Sequence, residues 1–190
     1  MTDIRRYDST NRQVFITAVC YQRQSFLKGD AEKKLLLSIM RTIKNEKPYL
    51  MIGYVILDDH FHWMIRLERS FRGSEKKDLV PTRCNAREYE ISKLIQSVKL
   101  RFTHQYKKYH GLNDNLRVWQ RRFWDHIARD QEDINRHMDY MHYNPVKHGY
   151  VSDPLEYPYS SFQIHLKRGV YQTGWGKTGA PEHVKNITWE

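Results

Sequence analysis

The sequence predicts a single α+β domain in which helices pack mainly on one face of a small antiparallel sheet. Two observations predict this class. Short stretches rich in β-branched and aromatic residues alternate with stretches of helical periodicity, and a two-residue turn joins two of the short stretches. Of the 190 residues, 39% are hydrophobic and 28% are charged, which is typical of a folded domain rather than a disordered or membrane-embedded chain.

The first half of the chain predicts a strand, a helix and a hairpin. The stretch RQVFITAVCY (12–21) has the composition of a strand, and apolar residues recur at helical spacing through DAEKKLLLSIMRTIKNEK (30–47). The stretches YLMIGYVIL (49–57) and HFHWMIRL (60–67) again have strand composition. Because only Asp58 and Asp59 separate these two strands, we expect them to pair as a hairpin.

The second half predicts a helix, a strand and another helix. An amphipathic helix is predicted for 85–109, a fourth strand within 116–129, and a helix with an acidic first turn over 130–144, ending at Pro145. The order strand, helix, hairpin, helix, strand, helix is close to the ferredoxin-like, or RRM-like, arrangement.

The charge of the chain points to a nucleic-acid partner. The formal net charge is +10, and basic residues alternate with aromatic ones in VKLRFTHQYKKYH (98–110) and RVWQRRFW (117–124). Cations neutralise phosphates and aromatic rings stack on unpaired bases, as a site for single-stranded nucleic acid requires. A basic surface that binds no specific partner would have the same composition.

Other protein classes are excluded. No apolar run approaches the roughly 18 residues that cross a bilayer, and the first residues are polar and charged, unlike a secretory signal. The two cysteines, Cys20 and Cys84, have neither metal-site spacing nor the density of a disulfide scaffold. We therefore expect a cytoplasmic protein with no membrane partner.

The stretch ILDDHFHWMI (56–65) places two histidines inside a run of large apolar residues. Residues two apart in a strand point to the same face, so His60 and His62 project together while Phe61 and Trp63 point to the core. Two imidazoles placed in this way can chelate one divalent metal ion. A pair of surface histidines on an edge strand would give the same pattern.

A second motif, HMDYMHYNPVKHG (137–149), places Tyr140 and Asn144 four apart on one face of the last predicted helix. Asn144 precedes Pro145, where the helix is expected to end, so its side chain can face a neighbouring element. Its amide oxygen could complete a three-ligand metal shell with the two imidazoles, with the Tyr140 phenol beside the metal. The alternative is an ordinary amphipathic helix with Tyr140 packed in the core.

The histidine–hydrophobe–histidine strand followed by a tyrosine on a later helix resembles the HUH superfamily of single-tyrosine (Y1) transposases. More narrowly, RRY near the start, LDDHFHWMI, VWQRRFWDHIARD and MDYMHYNPVKHGYV resemble, in this order, the REP-associated tyrosine transposases, which are related to the IS200/IS605 transposases. The resemblance implies a transposase domain over 1–165 and a C-terminal tail, 166–190, that packs on the domain or extends from it.

The resemblance also implies residue roles. His60 and His62 match the metal-binding histidines, Tyr140 matches the catalytic tyrosine, and Asn144 matches the position where IS200/IS605 transposases have a Gln metal ligand. Asn is shorter than Gln, so this position departs from the pattern of that group. The expected cofactor is Mg²⁺ or Mn²⁺, which imidazole and amide-oxygen ligands accommodate.

The implied activity is metal-dependent cleavage and rejoining of single-stranded REP-type hairpin DNA through a 5′-phosphotyrosine intermediate, as in DNA transposition. The implied protein is a monomer or homodimer associated with the bacterial nucleoid. Two other functions fit parts of the sequence. One is a non-catalytic hairpin-binding regulator on the same fold, and the other is a metal-dependent RNA-processing protein on an RRM-like sheet.

Several further residues are candidates for a role at the site. His137 shares a helix face with Tyr140 and Asn144 and could assist proton transfer, whereas His126 is expected to be structural. Charge runs also occur on ordinary solvated surfaces. The candidate phosphate contacts are basic residues of the long helix, the segment before the fourth strand and the N-terminal arm, namely Arg5, Arg6, Lys99, Arg101, Lys107, Lys108, Arg121 and Arg122.

Overall fold

The computed structural model describes residues 13–67, 86–112 and 115–185. In these ranges the strands are β1 (Gln13–Val19), β2 (Tyr49–Ile56), β3 (His60–Leu67) and β4 (Trp124–Ile127). The α-helices are α1 (Asp30–Thr42), α2 (Ala86–His110), α3 (Gln131–Lys147) and α4 (Phe162–Lys167). The predicted α+β class is confirmed, with each predicted strand and helix present.

The four strands form one sheet in the order β2-β3-β1-β4, and every neighbouring pair is antiparallel. The predicted hairpin joins β2 to β3, while β1 lies between β3 and β4. This order, with α1 and α2 as the crossover helices, is the predicted ferredoxin-like arrangement. The pairing of β1 with β3 sets Thr17 opposite His62.

The two faces of the sheet carry different side chains because strand residues alternate in direction. On the first face, Ile16 of β1 and Phe61 and Trp63 of β3 are buried in one apolar cluster with residues of α1 and α2. On the opposite face, Phe15 and Met64 are buried in a second cluster with Met138, Tyr140 and Met141 of α3. Two of the three long helices thus share the predicted face, and α3 covers the other.

Helix α3 begins as its sequence predicts but ends later. Asp130 is the N-cap residue, and its side chain accepts a hydrogen bond from the Asp133 backbone N–H at 2.8 Å. The predicted end at Pro145 is wrong, because the helix continues to Lys147. Proline removes one N–H donor, but the His148 N–H bonds to the Asn144 carbonyl at 3.0 Å and closes the turn. Gly149, with φ of 72°, then ends the helix.

The residues after α3 pack back on the domain. Ser160 bridges to Val55 of β2, and the Tyr157 hydroxyl donates to the Ile56 carbonyl at 2.7 Å. Further along, the Trp175 ring stacks on that of Phe162 in α4, with 5.5 Å between the centroids. The described part of the predicted tail, 166–185, therefore contacts the domain, and the predicted boundary at 165 stays a prediction. No helix among the described residues is long and apolar enough to cross a bilayer.

A buried chain of hydrogen bonds ties this C-terminal segment to α3. The Tyr171 hydroxyl donates to Asp139 Oδ1 at 2.9 Å and lies 3.0 Å from His142 Nδ1. His142 Nε2 lies 2.8 Å from the Ser161 hydroxyl. Burial lowers the pKa of His142 well below its usual value, and the neighbouring His165 acts in the same direction. His142 is therefore neutral in the folded protein.

We predict that this histidine makes stability depend on pH below 6.5. An unfolded histidine titrates near 6.5, so below that pH the unfolded chain gains a proton that buried His142 does not take up. The contribution of His142 to the free energy of unfolding should therefore be nearly constant well above pH 6.5, and should fall below that pH by up to about 1.4 kcal/mol per pH unit. Urea unfolding of wild type and His142→Gln at pH 7.5, 6.5 and 5.5 measures the difference. Equal pH slopes in the two proteins would contradict the prediction.

Candidate active site

The two histidines of β3 lie on the face of the sheet that α3 covers. His60 and His62 are fully buried, and their ring centroids are 5.0 Å apart. The Phe15 ring of β1 stacks on His62 at 5.3 Å, with 22° between the planes. The predicted orientation is confirmed, since Phe61 and Trp63 occupy the other face. The alternative of two surface histidines is wrong, because β3 is an interior strand covered by α3.

Hydrogen bonds to Nδ1 orient both rings. Asp59 Oδ1 lies 2.6 Å from His60 Nδ1, and the Thr17 hydroxyl lies 2.8 Å from His62 Nδ1. Nε2 is therefore the ring atom of each histidine that can ligate a metal, and metal-binding histidines are held in this way. Within the described residues, His60 Nε2 is buried and makes no hydrogen bond.

The Asp59 carboxylate is ionised, and each of its two oxygens has a partner. It contacts His60 and also pairs with Arg23, whose Nη1 lies 3.1 Å from Asp59 Oδ2. Partial burial works to raise the pKa of Asp59, but the hydrogen bonds from His60 and Arg23 outweigh it and lower the pKa overall. A carboxylate at this position fixes the tautomer and the orientation of the imidazole that it contacts.

Tyr140 approaches the histidines from α3. Its side chain is fully buried, and its ring centroid lies 5.3 Å from that of His62. The Lys147 ammonium lies 3.4 Å from the phenol oxygen and 4.9 Å from the ring centroid. A cation at this distance stabilises the phenolate relative to the phenol.

Asn144 lies one turn after Tyr140 on the buried face of α3, and its Oδ1 is buried. Near the same end of the helix, the His148 ring lies 5.4 Å from that of His60. Two imidazole nitrogens and an amide oxygen are neutral donors that suit Mn²⁺ or Mg²⁺ and do not form the thiolate set typical of structural zinc. The residues present therefore fit a divalent cation.

The other tyrosines of this stretch lie elsewhere. Tyr143 faces the C-terminal segment, with its ring centroid 6.4 Å from that of Trp175. Tyr150 follows the end of α3, is 40% exposed, and its ring centroid lies 5.9 Å from that of Tyr157. Tyr140 therefore has a position that its neighbours in sequence do not share.

His137 contacts the start of α3 and the edge strand β4. Its Nδ1 donates to the Asp133 carbonyl at 2.8 Å, and its ring stacks on His126 at 4.6 Å. The Phe15 ring also contacts it, with 4.8 Å between centroids. Burial lowers the pKa of His137 to about 4, so this imidazole is neutral near pH 7.

The predicted phosphate contacts are divided between different surfaces. Lys99 departs from the prediction because its ammonium donates to the carbonyls of Gln120 and Arg122, and burial lowers its pKa to about 8. Arg101 pairs with Glu46. Helix α2, which carries Lys99, Arg101, Lys107 and Lys108, packs on the face opposite the histidines.

Arg121 and Arg122 are exposed and lead directly into β4. There Trp124 is 39% exposed and lies 5.9 Å from the Phe15 ring, close to the histidines. Arg5 and Arg6 lie outside the described residues. Of the predicted phosphate contacts among the described residues, this pair lies nearest in sequence to the strand that borders the histidine face.

Sequence reasoning missed several residues that touch the site, among them Asp59, Thr17 and Lys147. Asp59 precedes His60 directly, and an acidic residue beside a candidate metal ligand is a signal that could have identified it. Thr17 becomes a neighbour of His62 only through the β1–β3 register, and no local pattern predicts that contact. Lys147 lies seven residues after Tyr140, at a helical spacing of two turns, so its approach to Tyr140 was predictable once the helix was known to pass Pro145.

Comparison with known proteins identifies the family. No family profile matches the chain. A Haemophilus influenzae protein named as a REP-associated tyrosine transposase is 30% identical over 176 residues, which cover 93% of this chain and 94% of that protein. The chain belongs to the REP-associated tyrosine transposases.

Two further relatives agree with the family. The Escherichia coli REP-associated tyrosine transposase is 29% identical over 175 residues, covering 92% of this chain and 91% of its own. A solved structure of a REP-associated tyrosine transposase bound to a REP hairpin is 27% identical, with a TM-score of 0.68 and coverage of 99% and 96% of the two chains. The predicted family is confirmed, and the roles of individual residues stay predictions.

Proposed function

We propose that this transposase is a metal-dependent endonuclease and strand transferase that acts on single-stranded hairpin DNA, with Tyr140 as its nucleophile. The observation that carries the proposal is the contact between the Tyr140 phenol ring and His62, which brings a nucleophile to a pair of oriented imidazoles. Tyr140 is fully buried between the candidate metal ligands and Lys147. An apolar side chain could fill the same space, so the buried phenol at this position favours a functional role.

We assign His60 Nε2, His62 Nε2 and Asn144 Oδ1 as the ligands of Mg²⁺ or Mn²⁺. Such an ion, when bound, withdraws charge from a phosphate oxygen and orients the scissile bond. The Asp59 carboxylate accepts from His60 Nδ1 and so leaves the lone pair on Nε2. The Thr17 hydroxyl would do the same for His62 when it accepts from Nδ1. Three protein ligands leave coordination positions open for the substrate.

Tyr140 carries out the covalent step. Its phenol loses a proton as the oxygen attacks phosphorus, a Tyr–O–P bond forms, and the bond to the 3′ oxygen breaks and leaves a 3′-OH. The Lys147 ammonium, 3.4 Å from the phenol oxygen, stabilises the phenolate. The 5′-phosphotyrosine keeps the phosphodiester energy, so the 3′-OH of another strand can reverse the step and rejoin DNA.

Substrate entry requires side chains to move. Tyr140, His60 and His62 are fully buried, whereas Lys147 and His148 are exposed residues that lie against Tyr140 and His60. A phosphate can reach the phenol once these two side chains swing toward solvent. The Lys147 ammonium beside the phenol suits an anionic substrate.

A hairpin-bearing strand is the partner that this surface favours. The net charge of +10 supports binding to a phosphate backbone, and Trp124 beside the site offers an aromatic face for an unpaired base. The solved relative was bound to a REP hairpin, and we extend that ligand class to this chain. Full burial of Tyr140 also suits a second candidate, a regulator that binds hairpins without cutting them.

One experiment separates the two candidates. Purified protein is incubated with 5′- and 3′-labelled REP-type hairpin strands and Mn²⁺, with a blunt duplex of the same sequence as control. We expect a covalent protein–DNA adduct with the hairpin strand alone, and no adduct when EDTA is present from the start of the incubation. Binding without any adduct would support the regulator and overturn the enzyme.

The first prediction concerns which tyrosine attacks. Tyr140→Phe removes one oxygen and keeps the ring, so hairpin binding should persist while the adduct disappears. Tyr143→Phe is the matched control, because Tyr143 faces Trp175 and its loss should leave the adduct intact. Peptide mapping that locates the nucleotide on Tyr143 or Tyr150 would disprove the assignment.

A second prediction concerns the two metal-ligand histidines and Asp59, which orients His60. His60→Ala or His62→Ala should abolish cleavage and retain hairpin binding. Asp59→Asn should weaken Mn²⁺ binding by about 10- to 100-fold, because the carboxylate orients His60. Calorimetric titration with Mn²⁺ measures the loss.

Asp58→Asn is the control for Asp59→Asn, since it makes the same chemical change one residue earlier. Asp58 pairs with the buried Lys33 ammonium at 2.6 Å. Its replacement should lower stability while Mn²⁺ affinity stays close to that of wild type. If both asparagine variants lose affinity equally, Asp59 has no particular role in the metal site.

The third prediction concerns Lys147. Lys147→Met keeps the length of the side chain and removes its charge, so adduct formation should slow by about 10- to 100-fold at pH 7. The pH–rate profile should shift to higher pH, because the phenol loses the cation that favours its ionised form. Lys147→Arg should restore most of the rate, and a profile unchanged by Lys147→Met would contradict a role in activating Tyr140.

A further inference from the structure

A second group of potential metal ligands lies where β4 meets the first turns of α3. It consists of His126 from β4 and Asp133 and His137 from α3. One ligand atom from each residue lies within 4.8 Å of the other two. Asp133 and His137 are 3% and 1% exposed, so this is a carboxylate and an imidazole held inside the protein rather than a surface charge cluster.

The three side chains already converge on the carboxylate. His126 Nε2 lies 2.8 Å from Asp133 Oδ2, and His137 Nδ1 lies 3.2 Å from Asp133 Oδ1. Two ligands that share a tetrahedral ion at about 2.1 Å each are about 3.4 Å apart. These separations are therefore close to those of ligands that share one ion. The two rings are stacked, with 13° between their planes, so one ring must rotate to turn its in-plane lone pair toward the ion.

We propose that His126, Asp133 and His137 form a second metal site, distinct from the catalytic one, for a divalent transition-metal ion such as Zn²⁺ or Co²⁺. Two imidazoles with one carboxylate favour these ions over Mg²⁺, which prefers oxygen ligands. His126 can present its Nε2 lone pair by moving its ring proton to Nδ1. His137 can present its Nδ1 lone pair by moving its proton to Nε2, which gives up the hydrogen bond to the Asp133 carbonyl. The side chain of His126 is 28% exposed, which leaves a path for the ion.

The site is separate from the catalytic histidines. The Phe15 ring lies between the two groups, with its centroid 4.8 Å from His137 and 5.3 Å from His62. An apolar ring in this position keeps either group from supplying ligands to an ion in the other. The two sites can therefore be removed one at a time.

Arg129 is the group that an incoming cation would displace. Its Nε lies 3.2 Å from Asp133 Oδ2, but its side chain is 68% exposed and can turn toward solvent. The ion would then replace a mobile surface contact with bonds that join β4 to α3. Tyr140 follows His137 by about one helical turn. An ion that links β4 to α3 at His137 would therefore fix the position of the part of α3 that carries Tyr140.

Metal stoichiometry of the untagged, metal-free protein tests the site. Co²⁺ titration, followed by calorimetry and by visible absorption, should find two bound ions in the wild type and one in His60→Ala. In the His60→Ala background, His126→Gln should raise the remaining Kd at least tenfold. Co²⁺ should also raise the Tm of His60→Ala and leave that of the double variant unchanged.

His110→Gln is the matched control, because His110 also pairs with a carboxylate, Glu32, at 2.9 Å but belongs to no such group of three ligands among the described residues. It should bind Co²⁺ as the wild type does. Circular dichroism without metal establishes that His126→Gln folds. The second site is disproved if His60→Ala binds no ion, or if His126→Gln leaves the remaining affinity unchanged. Neither result bears on cleavage at Tyr140, which is read from the adduct.

Discussion

The contact between α3 and the sheet face that carries the β3 histidines is the interaction on which the rest of the site depends. Met138 and Met141 of α3 pack with Met64 and Phe15 and supply the apolar area that holds the helix in place. Tyr140, between those methionines in sequence, is carried into contact with His62 by the same packing. A shift of α3 along the sheet would therefore separate Tyr140 from the imidazoles.

Burying His60 and His62 in this interface costs the free energy of their hydration, and hydrogen bonds to neighbouring side chains offset part of that loss. Buried imidazoles lose their hydration, and each is compensated at Nδ1 by a partner, Asp59 for His60 and Thr17 for His62. An entirely apolar face would pack as well without such partners. That the chain retains a buried polar cluster here, against the local pattern of an apolar strand, is typical of a functional site.

Lysines that bind the protein's own acceptors and the lysine beside the histidines lie on opposite faces of the sheet. Lys99 and Lys33 are bound to backbone carbonyls or to Asp58 on the face of the sheet that α1 and α2 cover. Lys147 instead lies against Tyr140 on the α3 face. The lysines on the first face are therefore held by the protein's own acceptors, whereas Lys147 contacts a tyrosine beside the histidines.

The sequence by itself determined the elements, the family and the site candidates. Strand and helix periodicities are local properties, so the predicted order β1, α1, the β2–β3 hairpin, α2, β4, α3 is the observed one. The shared direction of His60 and His62 follows from the two-residue period of a strand, and the shared face of Tyr140 and Asn144 follows from the helical period. The motif resemblance then identified the family, which depends on residue order alone.

Only the tertiary structure decided what surrounds those residues. Thr17 meets His62 because of the register between strands 45 residues apart in sequence, which no local pattern encodes. The prediction that α3 ends at Pro145 was wrong because N–H groups beyond the proline close the last turn, and that extra turn brings Lys147 to Tyr140. The cluster of His126, Asp133 and His137 likewise arises where β4 meets α3, through contacts that hydrophobic periodicity does not specify.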